Sequence, residues 1–204
     1  MQKEDDKLIY KIKQERNIYS GELNLIFRAR MFWRDLATWL RSYLVSLYGN
    51  LQITDEISIR LHELPTDYAN ILSLFFGDKI TEEYLTLLNV YISTFEALFH
   101  AHKEGDSDAV GEYTRQLYEN DSKRAAFLAQ INPYWLENDL RSLMNNFTSM
   151  TIEESTTILT QEYDKNIDIF GRLLSHTTLI GDYFSEGLLN YLGIGLRPIN
   201  PTSL

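Results

Sequence analysis

From Glu22 onward the apolar positions recur every three to four residues, the period of an α-helix. Leu25, Ala29, Phe32, Leu36, Trp39 and Tyr43 form one line, and Ile26, Trp33, Leu40 and Leu47 form a second that returns every seven residues. Together they make a wide apolar stripe on one long helix, stopped by Gly49-Asn50. Thr54-Asp55-Glu56 opens a second helix, with a capping hydroxyl and two acids at the positive end of the helix dipole. Pro65 predicts a kink or a restart in it, and Phe75-Phe76-Gly77-Asp78 a turn. A third, long helix carries Ile80, Tyr84, Leu87, Tyr91, Thr94 and Leu98 on one face and ends near Lys103-Glu104-Gly105-Asp106. Another amphipathic stretch runs from about Asp108 to Gln130. Asn132-Pro133 supplies a cap and a first-turn proline for a helix reaching about Thr160. The last helix covers about Glu162 to Leu192, along Tyr163, Ile167, Phe170, Leu174, Thr177, Phe184, Leu188 and Tyr191.

No segment alternates with the period of a strand, so the pattern predicts an all-α fold. Its expected form is an up-down helical bundle of four long helices, with two kinked shorter helical insertions after the first and third. The chain divides into a charged N-terminal arm (1–21), the bundle domain (22–192) and a tail rich in Pro and Gly (193–204). A faint internal repeat aligns 60–76 with 116–132 through the identical pairs Leu61/Leu117, Glu63/Glu119, Ala69/Ala125 and Leu72/Leu128. After a one-residue slip Asn89/Asn146, Thr94/Thr151 and Glu96/Glu153 also match. Thr151-Ile152-Glu153-Glu154 reads locally as a capping box; its repeat partner lies within a helix, which places it inside a helix too.

Composition narrows the chemistry. The 204 residues include 29 acidic and 19 basic side chains and no cysteine, for a formal charge of −10. Disulfides, Cys zinc sites and thiol nucleophiles are excluded. The acidic balance argues against binding duplex DNA or other nucleic acid. No apolar run approaches the roughly 20 residues of a membrane span, and the first residues lack the apolar region of a signal peptide. The expectation is a cytoplasmic protein with no membrane partner. Gly-x-Ser-x-Gly, Walker and Gly-x-Gly-x-x-Gly motifs are absent.

The remaining candidates are few. None of His62, His100, His102 and His176 follows a Glu by three residues, as the ligands of di-iron bundles do. Glu96, His100 and Glu104, spaced by four, are a weak alternative set for a divalent metal, with a solvated helix face as the plainer reading. Asp164 and Asp168 sit one turn apart beside Tyr163, where Arg41, Arg34 or Arg28 of the first helix can reach them. They read as rim ion pairs or as a polar pocket between the first and last helices. Of the many aromatics, most are expected in the core, a minority around a cavity. The candidate ligand pocket gathers Trp33, Trp39, Arg41, Tyr91, Tyr163, Asp164 and Asp168.

Several fragments carry a resemblance. They are Phe32-Trp33-Arg34-Asp35-Leu36-Ala37-Thr38-Trp39-Leu40-Arg41, Phe76-Gly77-Asp78, Lys103-Glu104-Gly105-Asp106, Phe127-Leu128-Ala129-Gln130-Ile131-Asn132-Pro133-Tyr134-Trp135 and Glu162-Tyr163-Asp164-Lys165-Asn166-Ile167-Asp168. Over about residues 25–192 the chain resembles an uncharacterised bacterial all-helical family. Its members often bear the label acetylglutamate kinase, without the glycine-rich phosphate loops that activity needs, and look like hemerythrin or ferritin bundles. The resemblance implies a histidine in the middle of three long helices, at positions matching Leu36, Val90 and Phe147 here, all apolar. It therefore implies a metal-binding bundle whose ligands this member has lost. The leading expectation is a non-enzymatic helical-bundle protein, without a cofactor, that binds a partner protein or a small ligand and can self-associate as a homodimer. The alternative is a di-iron, hemerythrin-like or ferritin-like bundle with a divalent metal.

Overall fold

The computed structural model describes residues 20–193, all but the connectors helical. The helices are α1 (Ser20–Tyr48), α2 (Thr54–Phe76), α3 (Asp78–Glu104), α4 (Ser107–Ile131), α5 (Glu137–Leu159) and α6 (Tyr163–Tyr191). The two expected insertions are full members of the bundle: α2 has 23 residues and α4 has 25, against 23 in α5. Residues 1–19 of the expected arm, and the tail beyond Gly193, lie outside the described residues.

The boundaries follow local chemistry. Gly49 donates its N–H to the Val45 carbonyl, and Asn50 takes the left-handed conformation (φ 52°) that ends α1. At the start of α2 the Thr54 hydroxyl donates to the Leu51 carbonyl, so the cap position falls to Ile53 and no side chain caps it. Pro65 lies inside α2 without ending it. Gly77 alone separates α2 from α3, and its φ of 79° is accessible to glycine at little cost. Asp106 caps α4 by accepting from the Ala109 N–H. Asn132-Pro133 does not start α5: the helix begins at Glu137, and the Asn132 carboxamide accepts from the Tyr134 N–H to shape a turn instead. Thr151 is buried in mid-helix, its hydroxyl donating to the Phe147 carbonyl.

Contacts set the directions. Ser58 and His62 meet Glu96 while Tyr68 meets Tyr84, so α2 and α3 are antiparallel. Arg30 meets Asp182 and Arg41 meets Asn166, so α1 and α6 are antiparallel. Tyr91 meets Thr148 and His102 meets Ser155, so α3 and α5 are parallel. Each helix packs on the next and α6 returns to α1, closing a ring; α1, α3 and α5 also touch one another across the interior. The repeat-aligned pairs occupy like environments: Leu61/Leu117, Ala69/Ala125 and Leu72/Leu128 are buried, while Glu63/Glu119 and Asn89/Asn146 are exposed. The Asn132–Trp135 turn is pinned to α6, where Asn132 Nδ2 donates to the Gly187 carbonyl and Trp135 Nε1 to that of Phe184.

Candidate functional site

Three helices bring a charged cluster together at one end of the bundle. Arg41 on α1 donates through Nη1 to Glu154 Oε1 on α5 and through Nη2 to Asn166 Oδ1 on α6, the latter at 2.8 Å. The guanidinium lies over the Phe170 ring, 4.4 Å from its centroid. Asn166 in turn donates from Nδ2 to the Glu154 carbonyl and the Thr157 hydroxyl, both at 3.0 Å. The Glu154 side chain is 1% exposed and that of Arg41 22%, so the cluster has a buried acid and a partly open base. Glu154 Oε2 has no hydrogen-bond partner. Burial drives the Glu154 pKa from 4.5 to about 7, although Arg41 pulls it down. Next along α5, Ser155 hydrogen-bonds Tyr48 OH (2.5 Å) and His102 Nδ1 (2.6 Å). Burial holds the His102 pKa below its usual value.

A raised acid pKa has a defined effect on stability. Between pH 4.5 and about 7 the folded state keeps a proton on Glu154 that the unfolded chain has released. This group's contribution is complete below pH 4.5 and fades as pH rises through 7. In urea melts, wild type should therefore lose stability from pH 5 to 8 relative to Glu154→Gln. Parallel profiles for the two proteins would refute this.

A second polar cluster is fully enclosed. Arg124 on α4 pairs with Asp121 and donates through Nε to Asn120 Oδ1 at 2.8 Å. Its guanidinium sits 3.9 Å from the Tyr91 ring centroid. Thr148 on α5 donates to Asp121 Oδ2 and hydrogen-bonds Tyr91 OH, each at 2.7 Å.

The expected pocket residues separate in this geometry. Trp33 and Tyr91 are core residues, and Trp39 is a partly buried neighbour of Arg60. Tyr163, Asp164 and Asp168 face solvent. Arg41 does reach α6, but to Asn166, whose side chain points inward a half-turn from the two aspartates. The stripe expected on α6 holds in its middle and second half, where Thr177, Phe184 and Leu188 are buried and Phe170 and Leu174 pack against the core. It does not hold at its ends: Tyr163, Ile167 and Tyr191 are exposed, and Asn166, Ile169, Leu173, His176 and Ile180 are buried beside it. Glu96, His100 and Glu104 do not form a ligand set. Glu96 is held by Ser58 and His62, His100 faces Tyr43 OH at 3.1 Å, and Glu104 is exposed. Among the described residues no group of three His, Asp or Glu could hold a metal ion. Leu36 and Phe147 are enclosed in the core, but Val90 is 51% exposed, so these three positions do not line one cavity.

Sequence reading missed Glu154, Asn166, Asp121 and Arg124. Asp121 and Arg124 could have been found from their register, since both sit within a turn of the buried line Leu117, Ala125 and Leu128. No described helix is long and apolar enough to cross a membrane. No protein-family model, curated protein or solved structure matches this chain.

Proposed function

We propose that this protein is a non-enzymatic helical-bundle binding protein. It takes a small polar ligand at the Arg41–Glu154–Asn166 cluster, between its first and last helices. One observation carries the reading: a carboxyl group buried in the bundle wall keeps an oxygen with no protein partner, beside a guanidinium still open to solvent. Buried polar atoms in folded proteins are generally paired, so an unused acceptor beside a partly exposed cation favours a ligand that brings a donor. Once Glu154 ionises, above about pH 7, Arg41 balances its charge, and Phe170 and Asn166 fix the plane of the guanidinium. The ligand class is thus a compact molecule with a hydroxyl, amide or ammonium group. The cysteine-free, acidic composition supports a cytoplasmic setting.

Ethanolamine, which carries both an ammonium and a hydroxyl, is a direct probe. It should raise the melting temperature of wild type in a concentration-dependent way. The shift should vanish in Glu154→Leu and shrink in Glu154→Gln. Equal shifts in all three proteins, or none in wild type across a panel of small alcohols, amides and amines, would reject the site.

A further inference from the structure

The outer face of α6 carries a row at four-residue spacing: Tyr163, Ile167, Gly171, Ser175 and Leu179. Its large members are open to solvent, Tyr163 at 59%, Ile167 at 64% and Leu179 at 59%. The two central members are small, and a Cβ added at Gly171 would meet no atom within 4 Å. Beside the row, against α5, runs an open groove of about 630 Å³ that Met150 also lines. The order is large, large, small, small, large. Reversed about Gly171, such a face brings the two copies of Gly171 together at the crossing, sets Ile167 over the partner's Ser175, and leaves Leu179 and the partner's Tyr163 as an apolar pair at each diverging end. Rows at four-residue spacing on both helices interdigitate at the commonest helix-crossing angle, and a twofold axis satisfies both copies at once.

Charge selects the same arrangement. Along the flank of this row lie Asp164, Asp168 and Arg172, all exposed. Reversal about Gly171 keeps this flank facing its own copy and inverts its order. Arg172 then falls nearest the partner's Asp168, about 3 Å along the axis, while the partner's Asp164 lies about 9 Å away. In the single chain Arg172 pairs with Glu153 on α5 at 3.7 Å, its side chain 61% exposed and that of Glu153 38%, a weak surface pairing that can yield.

We infer that the outer face of α6 is a homodimer interface, with two copies crossing antiparallel at Gly171 and Arg172 paired to the partner's Asp168. This face is separate from the Arg41–Glu154 cluster, so the two readings stand or fall independently.

Sedimentation and light scattering on the full chain, from micromolar to millimolar concentration, test the interface. Wild type should show a reversible monomer–dimer equilibrium. Gly171→Leu, which fills the crossing point, and Ile167→Glu should each weaken it by roughly tenfold or more. Both sites are exposed, so circular dichroism should report an unchanged fold. Arg172→Asp should weaken the dimer, and the swap Asp168→Arg/Arg172→Asp should regain much of the loss. A chain that stays monomeric throughout, or a dimer indifferent to Gly171→Leu, overturns the proposal. A dimer lost in Arg172→Asp and not regained by the swap overturns the crossing at Gly171.

Discussion

Arg124→Met is expected to destabilise the fold by about 3–5 kcal/mol, the range for removing one partner of a buried ion pair. Both side chains of the Arg124–Asp121 pair are fully buried. Without the guanidinium, Asp121 keeps only the Thr148 hydroxyl, in surroundings that already raise its pKa. The Tyr91 ring also loses the cation stacked on it. Removing both charges tells a different story. Asp121→Leu/Arg124→Met leaves no ion to solvate, and apolar replacements of a buried pair are often neutral or better. The double variant should thus be more stable than Arg124→Met alone, as measured by urea denaturation. If single and double variants unfold at the same midpoint, the penalty lies in lost packing around Arg124 and the electrostatic account is wrong.

The second large effect lies where the ring closes. Gly181 on α6 abuts α1 so closely that an added Cβ would lie 2.6 Å from Arg30 Cα and 2.7 Å from its backbone nitrogen. Backbone cannot rotate away as a side chain can. Gly181→Ala must push α1 and α6 apart, loosening the Arg30–Asp182 pair and the core beneath. The expected loss is about 3 kcal/mol, at the upper end for overpacking. Gly111 on α4 provides the control, since nothing lies within 4 Å of its added Cβ. There, alanine should stabilise by roughly 0.5–1 kcal/mol through helix propensity alone. Thermal or chemical melts in which the two variants move in the same direction would contradict this view of the α1–α6 seam.

These two sites also mark how far the chain could be read unaided. Helix positions were legible because apolar side chains returned every three to four residues and because Gly49, Gly77 and Gly105 punctuate the runs. Asp106, read as the end of α3, instead caps α4. The Asn132–Trp135 fragment looked like a helix start, yet its proline sits in a turn that anchors to α6 through Asn132 and Trp135. Nothing local distinguishes those outcomes, because the deciding bonds reach residues some fifty positions away.

The departure at the start of α6 has the same origin. That helix carries apolar residues on two adjoining faces, and only the presence of α1 and α5 on one side decides that Ile169 is buried and Ile167 exposed. The phase in turn decides the chemistry: it aims Asn166 at Arg41 and leaves Asp164 and Asp168 in water. Arg41 was legible as a residue that reaches the last helix, but its partner was not.

By itself the sequence determined the helical class, the approximate extent of each helix and the lack of cysteine chemistry, because backbone periodicity and composition are local properties. Only the tertiary structure decided that the six helices of the described residues close into a ring, and that Glu154, Asp121 and Arg124 are enclosed. Burial of a charged side chain depends on what packs against it from distant parts of the chain, and a carboxylate looks the same in the sequence whether water or a guanidinium awaits it.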